Sequence, residues 1–167
     1  MDARLVRPGP EHQAQYEAMM DEWEAFGGRL NPGALRRWSH RQQRKVPYAE
    51  WLTWMEEDHR NGQDLYFCME GDRLLGAISL RFGDNPHIAA DGHIGYGVRP
   101  SARCRGCASR MLALALPIAQ GMGIHPVVIV CSADNVASAR VIERNGGILA
   151  ETRGESAGKE LVYHVFA

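Results

Sequence analysis

Four arginines, two glycines and two cysteines crowd into one stretch, "GVRPSARCRGCASR", at residues 97–110. Arg99, Arg103, Arg105 and Arg110 surround Gly106, and an apolar helical pattern starts directly after it. Guanidinium groups at a helix entrance suit an anion. The first turn of a helix has backbone N–H groups without helical partners and carries the positive end of the dipole. Gly106 lets a ligand approach the backbone, and the small Ala108 keeps the next turn open. Together these features describe a seat for phosphate oxygens. A helix start dressed with solvated arginines, its glycine making only a turn, is the alternative.

Familiar phosphate loops do not apply. The chain has no G-x-x-x-x-G-K-S/T, since "GESAGKE" lacks both the spacing and the Ser/Thr, and "GHIGYG" is G-x-x-G-x-G inside a strand. Cys104 and Cys107 form a C-x-x-C, but Cys68 and Cys131 supply no second pair for zinc, and the element order is not that of a thiol oxidoreductase. Asp84, His87, Asp91 and His93 are irregularly spaced and read as a polar loop on the substrate side. No metal is expected.

The stretch must be held by a chain of 167 residues, 45% hydrophobic and 23% charged, which is long enough for one domain with a substantial core. A net charge of -1 argues against general attraction to nucleic acid or an anionic membrane. No apolar run reaches the roughly 20 residues that span a bilayer, and "MDARLVRPGP" has no signal-peptide core. Four cysteines without a scaffold pattern point to a reducing cytoplasm.

"ARLVRP" reads as a first strand, followed by three helical segments: "EHQAQYEAMMDEWEAF", "NPGALRRWSHRQQRK" and "YAEWLTWMEEDHR". Strands "DLYFCME" and "RLLGAISLRF" flank the turn Gly71-Asp72. The loop "GDNPHIAAD", the strand "GHIGYGV" and a helix over 106–121 come next. "PVVIVC" is apolar throughout, as in a strand buried on both faces. A helix over 135–145 and the strands "ILAETR" and "KELVYHVF" complete the chain. The fold class is α/β: a mixed, mostly antiparallel sheet of about six to seven strands with helices on both faces. The strand–helix–strand unit over 93–131 predicts one parallel pair.

The run Arg103-Cys104-Arg105-Gly106-Cys107-Ala108 fits Q/R-x-x-G-x-G/A, the acyl-CoA loop signature of the GNAT superfamily of N-acetyltransferases, which this stretch resembles. "SADNVASARVIERNGG" is similar to that family's later helix motif, and "HIGYGVRP" sits where the family keeps its cofactor-pairing strand. "GHIGYGVRPSARCRG" also resembles a branch of predicted bacterial acetyltransferases. The likeness covers residues 64–165 well and residues 1–62 only by element order. It implies a GNAT fold in which the parallel strand pair is splayed. Residues 1–167 then form a single acyl-CoA N-acyltransferase domain, 1–62 giving the first strand and acceptor-side helices and 63–167 the acetyl-CoA-binding core.

The resemblance also implies that amides from Cys104 to Ser109, including Cys107, hold the pyrophosphate of acetyl-CoA, with Arg103 and Arg105 lending charge. The pantetheine arm pairs with the strand edge at Tyr96, Gly97 and Val98, Asn135 reaches that arm or the nucleotide, and Ser138 packs nearby. Acetyl-CoA is then a co-substrate, attacked directly by a primary amine in a ternary complex, with the N–H near Val98 as oxyanion donor. A non-catalytic acyl-CoA-binding or sensing domain of the same fold is the alternative. Dimers are frequent among such proteins, so a homodimer is compatible with the resemblance.

His93 stands where many relatives place a glutamate, and an ordinary histidine pKa of roughly 6.5 suits a base for an ammonium proton. On an extended strand His93, Gly95 and Gly97 share a face, so the glycines leave space for a substrate. A strand-end histidine bonded to a neighbouring main-chain group is the other reading. The family's late-helix tyrosine falls at Ile142, which makes Tyr163 the candidate acid for the leaving thiolate, although its alternation with Leu161 and Val165 also suits the core. Arg36, Arg37, His40, Arg41, Arg44 and Lys45 form a basic run with Trp38, either a solvated face or a recogniser of an acidic acceptor. Trp23, Trp51, Trp54 and Tyr16 line an acceptor pocket or pack the core. The expected acceptor is a small-molecule or peptide amine.

Overall fold

The chain reverses at Gly71-Asp72 between β4 (Gln63–Glu70) and β5 (Arg73–Arg81), whose antiparallel ladder runs from Glu70 opposite Arg73 to Gln63 opposite Arg81. β1 (Ala3–Val6) adds to the outer side of β4, and β6 (Ile94–Val98) to the outer side of β5. A second antiparallel group contains β7 (Val127–Ser132), β8 (Gly147–Arg153) and β9 (Glu160–Val165), with β9 central. The computed structural model describes residues 1–166. Among them the order is β1-β4-β5-β6 and β7-β9-β8, seven strands in two groups where one mixed sheet of about six to seven was expected.

The two groups meet at one place. The His93 N–H donates to the Val128 carbonyl at 2.7 Å, and a single bridge links Gly92 to Ile129. Both β6 and β7 leave this junction from their N-terminal ends, so they run the same way, and among the described residues no ladder joins them further on. The gap between them is the feature that positions the site. β7 is buried at Val127, Ile129 and Cys131 and half-open at Val128 and Val130, so one face stays accessible where burial on both faces was expected.

α1 (Gln13–Phe26) and α2 (Tyr48–Arg60) cover one face of the first sheet, while α4 (Cys107–Gly121) covers the other and α5 (Val136–Arg144) packs beside α4. On the first face the Trp51 ring stacks on Tyr16 at 4.6 Å and lies parallel to Phe67 at 5.9 Å. Such ring pairs add about 0.5–1.5 kcal/mol each beyond their burial. Tyr16 and Trp51 are therefore core residues. On the other face Met111, Leu112, Ala115 and Ala119 of α4 are buried at helical spacing against the sheet.

The basic segment departs from expectation. Residues 31–45 form no helix among the described residues, but a 3-10 turn at Gly33–Leu35 and a two-residue hairpin, β2 (Trp38–Ser39) with β3 (Arg44–Lys45). The physical reason lies in the side chains. Leu35 and Val46 are the buried residues at the two ends of this segment, and the charged run between them offers no apolar stripe for a helix to bury. The loop after β5 contains one short helix, α3 (Ile88–Asp91).

Arg99, one of the four arginines around the anion motif, is part of this framework. Its Nε donates to Glu22 of α1 at 2.8 Å and its Nη1 to the Leu74 carbonyl at 3.0 Å. Burial opposes ionisation of Glu22, yet hydrogen bonds from Arg99 and Ser101 prevail and hold its carboxyl at about 2. Arg99 thus ties α1 to the end of β6.

Candidate functional site

Main-chain groups are left exposed where β6 parts from β7. The Arg99 N–H donates to the Leu75 carbonyl at 2.9 Å, and Gly76 lies opposite Val98 in the ladder. Antiparallel alternation then turns the N–H and C=O of Tyr96 and Val98 away from β5 and into the gap. The Val98 carbonyl is occupied there by Arg103 Nε at 2.9 Å.

Gly106 precedes α4 with φ +78°, a left-handed conformation that disfavours any side chain, and nothing lies within 4 Å of where its Cβ would stand. The first helical bond of α4 runs from the Arg110 N–H to the Gly106 carbonyl at 3.0 Å. The amides of Cys107, Ala108 and Ser109 therefore have no intrahelical partner, and no side chain caps them.

A cavity of about 220 Å³ joins these two features, walled by Tyr96, Gly97, Val98, Arg103, Ala108, Asn135 and Ser138. Seven of the residues singled out in the sequence thus meet in one place. Trp23, read from the sequence as lining an acceptor pocket or packing the core, joins this wall, together with Arg29 and Asn31, which no sequence signal marks. α1 ends at Gly27, and the following segment crosses β6 on the face of Gly95 and Gly97. No periodicity in the sequence marks that crossing.

A second cavity, about 650 Å³, opens on the other side of Tyr96 and Ser138. Arg29, Asn31, Tyr96 and Ser138 line both, so the two chambers adjoin at the strand gap. At the junction the Tyr96 hydroxyl lies 2.7 Å from Ser138 Oγ. Burial pushes the Tyr96 hydroxyl up to about 12 against the opposing effect of that contact, so it keeps its proton at neutral pH. Cys131 also lines the larger chamber, its thiol pushed up by burial.

Several expected site residues stand elsewhere or differ in detail. Arg103 does not turn to the α4 entrance; its guanidinium lies 5.3 Å over Trp23 and 5.1 Å over Phe26. The Asn135 side chain caps α5, accepting from the Ser138 N–H at 3.1 Å. Ser109 Oγ and its carbonyl accept from Asn145 at the end of α5. Cys104 and Arg105 are exposed, whereas Cys107 is buried. The hydrogen bond with Cys68 and burial both push the Cys107 thiol up, so the two cysteines of the C-x-x-C face different surroundings.

His93 and Tyr163 line neither chamber. His93 Nδ1 accepts the Val128 N–H at 2.9 Å, which commits that lone pair and places the ring proton on Nε2. Together with the reciprocal main-chain bond it fastens the point from which β6 and β7 splay. The face expected to be open beside it is divided: the Asn31 carbonyl occupies the space over Gly97, whereas Gly95 lines the larger chamber. Tyr163 is buried in the core and donates to Glu143 Oε1 at 2.9 Å. Ile142 is buried in the same core.

A pH dependence follows. Burial first, and Arg81 second, lower the His93 pKa, so the folded chain favours the neutral ring that accepts from Val128. The stability it contributes is present above the unfolded value of roughly 6.5 and is lost as pH falls through the lower folded value. His93→Gln keeps an acceptor that does not titrate. Chemical denaturation at pH 7 and pH 5 is expected to show a smaller acid-induced loss of stability in this variant than in the wild type.

Residues 4–148 match the family model for the acetyltransferase (GNAT) domain. Comparison with curated proteins finds no match. Among solved structures the chain is similar to RimL, a ribosomal L7/L12 alpha-N-protein acetyltransferase in complex with coenzyme A, at 18% identity and TM-score 0.69, covering 98% of this chain and 93% of that one. It is also similar to MccE, the microcin C7 self-immunity acetyltransferase in complex with acetyl-CoA and AMP, at 16% identity and TM-score 0.68, covering 99% and 92%. An N-acetyltransferase from Staphylococcus aureus Mu50 aligns at 20% identity and TM-score 0.65, covering 99% of both chains.

Proposed function

The chain belongs to the GNAT acetyltransferase family, and on that premise we propose that it moves the acetyl group of acetyl-CoA to a primary amine by direct attack in a ternary complex. One observation carries this reading: uncapped helix amides, an unpaired strand edge and two adjoining chambers, the larger with room for a second substrate, lie side by side. RimL and MccE, solved with coenzyme A and acetyl-CoA respectively, support the choice of donor.

The residues present fit the coenzyme. The amides of Cys107, Ala108 and Ser109 would hold its diphosphate, with Arg105 at the open mouth lending charge. The N–H groups of Tyr96 and Val98 would pair with the pantetheine arm, and Ala108, Asn135 and Ser138 would wall it. When bound, acetyl-CoA supplies an acetyl group already activated as a thioester. The unpaired main-chain donors of the β6 edge are suited to the negative charge that grows on the acyl oxygen.

Proton movement falls to other groups than His93 and Tyr163. The Tyr96–Ser138 hydroxyl pair sits at the junction of the chambers and holds a proton that can pass to the leaving sulfur. Glu160 lines the larger chamber and, among the described residues, has no cation within 4.0 Å, so its carboxylate is available to take the amine proton. Asp91 is the other carboxylate lining that chamber, and His87 stands 4.0 Å from it.

The test measures calorimetric binding of acetyl-CoA and release of free coenzyme A with a panel of amines. Binding together with amine-dependent release is expected; binding without release on any amine would favour an acyl-CoA sensor. Ser138→Ala and Glu160→Gln are each expected to lower kcat by about tenfold, at or below the small end of what general acid–base catalysis supplies. Unchanged kcat in both would remove these assignments.

A further inference from the structure

Under the reading above the acceptor enters the larger chamber, and the cations there outnumber the carboxylates. Arg29, Arg36 and Arg81 line it, against Asp91 and Glu160. Three other members of the basic run are engaged elsewhere: Arg37 with Glu17 at 3.5 Å, Arg44 with Glu50 at 3.3 Å and Lys45 with Glu24 at 2.7 Å. Among the described residues Arg29, Arg36 and Arg81 have no carboxylate within 4.0 Å. They come from three separate segments: the turn after α1, the 3-10 turn region and the end of β5.

Arg81 is the most constrained of the three. Its Nη1 donates to the Gly92 carbonyl at 3.2 Å, while its Nε is buried with no hydrogen-bond partner. A buried donor without an acceptor costs roughly 1–3 kcal/mol. The guanidinium lines the chamber, so an anionic oxygen there would pair with its accessible side. Burial lowers the pKa of this guanidinium and Asp91 opposes that effect, so a ligand oxygen would act in the same direction as Asp91.

We propose that the larger chamber is a binding subsite for an anionic group of the acceptor, a carboxylate or a phosphate, held by Arg81 at its wall and by Arg36 and Arg29. The acceptor is then an amine that also carries such a group. This rests on the acetyl-transfer reading and narrows it from any primary amine to an anionic one.

The experiment compares matched acceptors that differ only in the anion. A dipeptide with a free C-terminal carboxylate is set against its C-terminal amide, and O-phosphoethanolamine against ethanolamine. Two quantities are read for each: kcat/KM with acetyl-CoA, and the dissociation constant for the protein saturated with coenzyme A. The anionic member of at least one pair is expected to be favoured by about tenfold or more in both, the size of one charge-assisted hydrogen bond. Whichever pair shows the larger preference identifies the anion.

Arg81→Gln and Arg36→Gln are each expected to bring that preference down to within about threefold of unity. A thermal unfolding scan accompanies Arg81→Gln, whose side chain is partly buried; Arg36 is exposed, so Arg36→Gln tests the subsite even if the first variant folds poorly. Equal binding and turnover within both pairs, or a preference that survives both substitutions, overturns the subsite. Anion-dependent binding without any turnover would retain it and overturn acetyl transfer instead.

Discussion

Gly97→Ala is expected to destabilise the protein by about 3 kcal/mol, the upper part of the range for forcing atoms into a packed site. A Cβ on Gly97 would collide with the Asn31 carbonyl and would come within 2.9 Å of the Trp23 ring. The first of these is main chain and cannot rotate away. Trp23 is 2% exposed, so it has no room to yield either. Relief requires the segment after α1 to lift from β6. That segment carries Arg29 and Asn31, which wall both chambers, so the variant is also expected to lose affinity for coenzyme A. Urea denaturation and calorimetry of the purified variant check the two effects. A midpoint equal to the wild type would mean that β6 and this segment do not pack as described.

Gly106→Val addresses the other end of the cleft. It is expected to weaken acetyl-CoA binding roughly fiftyfold with little change in the unfolding midpoint. Space is not the issue, because nothing lies within 4 Å of a Cβ there. The cause is φ +78°, which a β-branched side chain adopts only at a cost of about 1–3 kcal/mol. The loop relaxes by rotating, and the amides of Cys107, Ala108 and Ser109 lose their common aim. Asparagine tolerates the left-handed region better, so Gly106→Asn should lose only a few-fold. A dissociation constant unaffected by valine would show that these amides do not hold the diphosphate.

The two glycines illustrate how unevenly the site could be read in advance. Gly106 was legible because what it offers is local. Phosphate recognition by a helix entrance needs a glycine, free amides and an apolar helix immediately after, all within one short run of sequence. Tyr96, Val98, Asn135 and Ser138 follow only from the family resemblance; they line the smaller chamber together with Ala108 and Arg103. Gly97 was legible as a glycine in a strand, but not for its reason. It was read as open space for a substrate, whereas the carbonyl of a residue sixty-odd positions earlier fills that space.

His93 and Tyr163 show the same limit for catalytic roles. Strand position placed His93 beside the gap, and a histidine there is suited to a base by its ordinary pKa. What commits its lone pair is the N–H of Val128, thirty-five residues on. Tyr163 sits in a strand whose alternation already suited the core, and its hydroxyl donates there to the Glu143 carboxylate. Arg103 kept its place in the wall but turned its charge onto Val98 and two aromatic rings.

By itself the sequence determined the main strands, the buried face of α4 and the glycine-led, uncapped start of that helix, because each depends on residue periodicity or on a few consecutive positions, whereas the parting of β6 from β7 was implied only by the family resemblance. Tertiary structure alone decided that residues 31–45 form a hairpin rather than a helix, and that Arg29, Arg36, Arg81 and Glu160 face one chamber. The physical reason is that a side chain's free lone pair or unmatched charge depends on which partners the rest of the chain brings to it. For these residues the partners, or their absence, come from segments far away in the sequence.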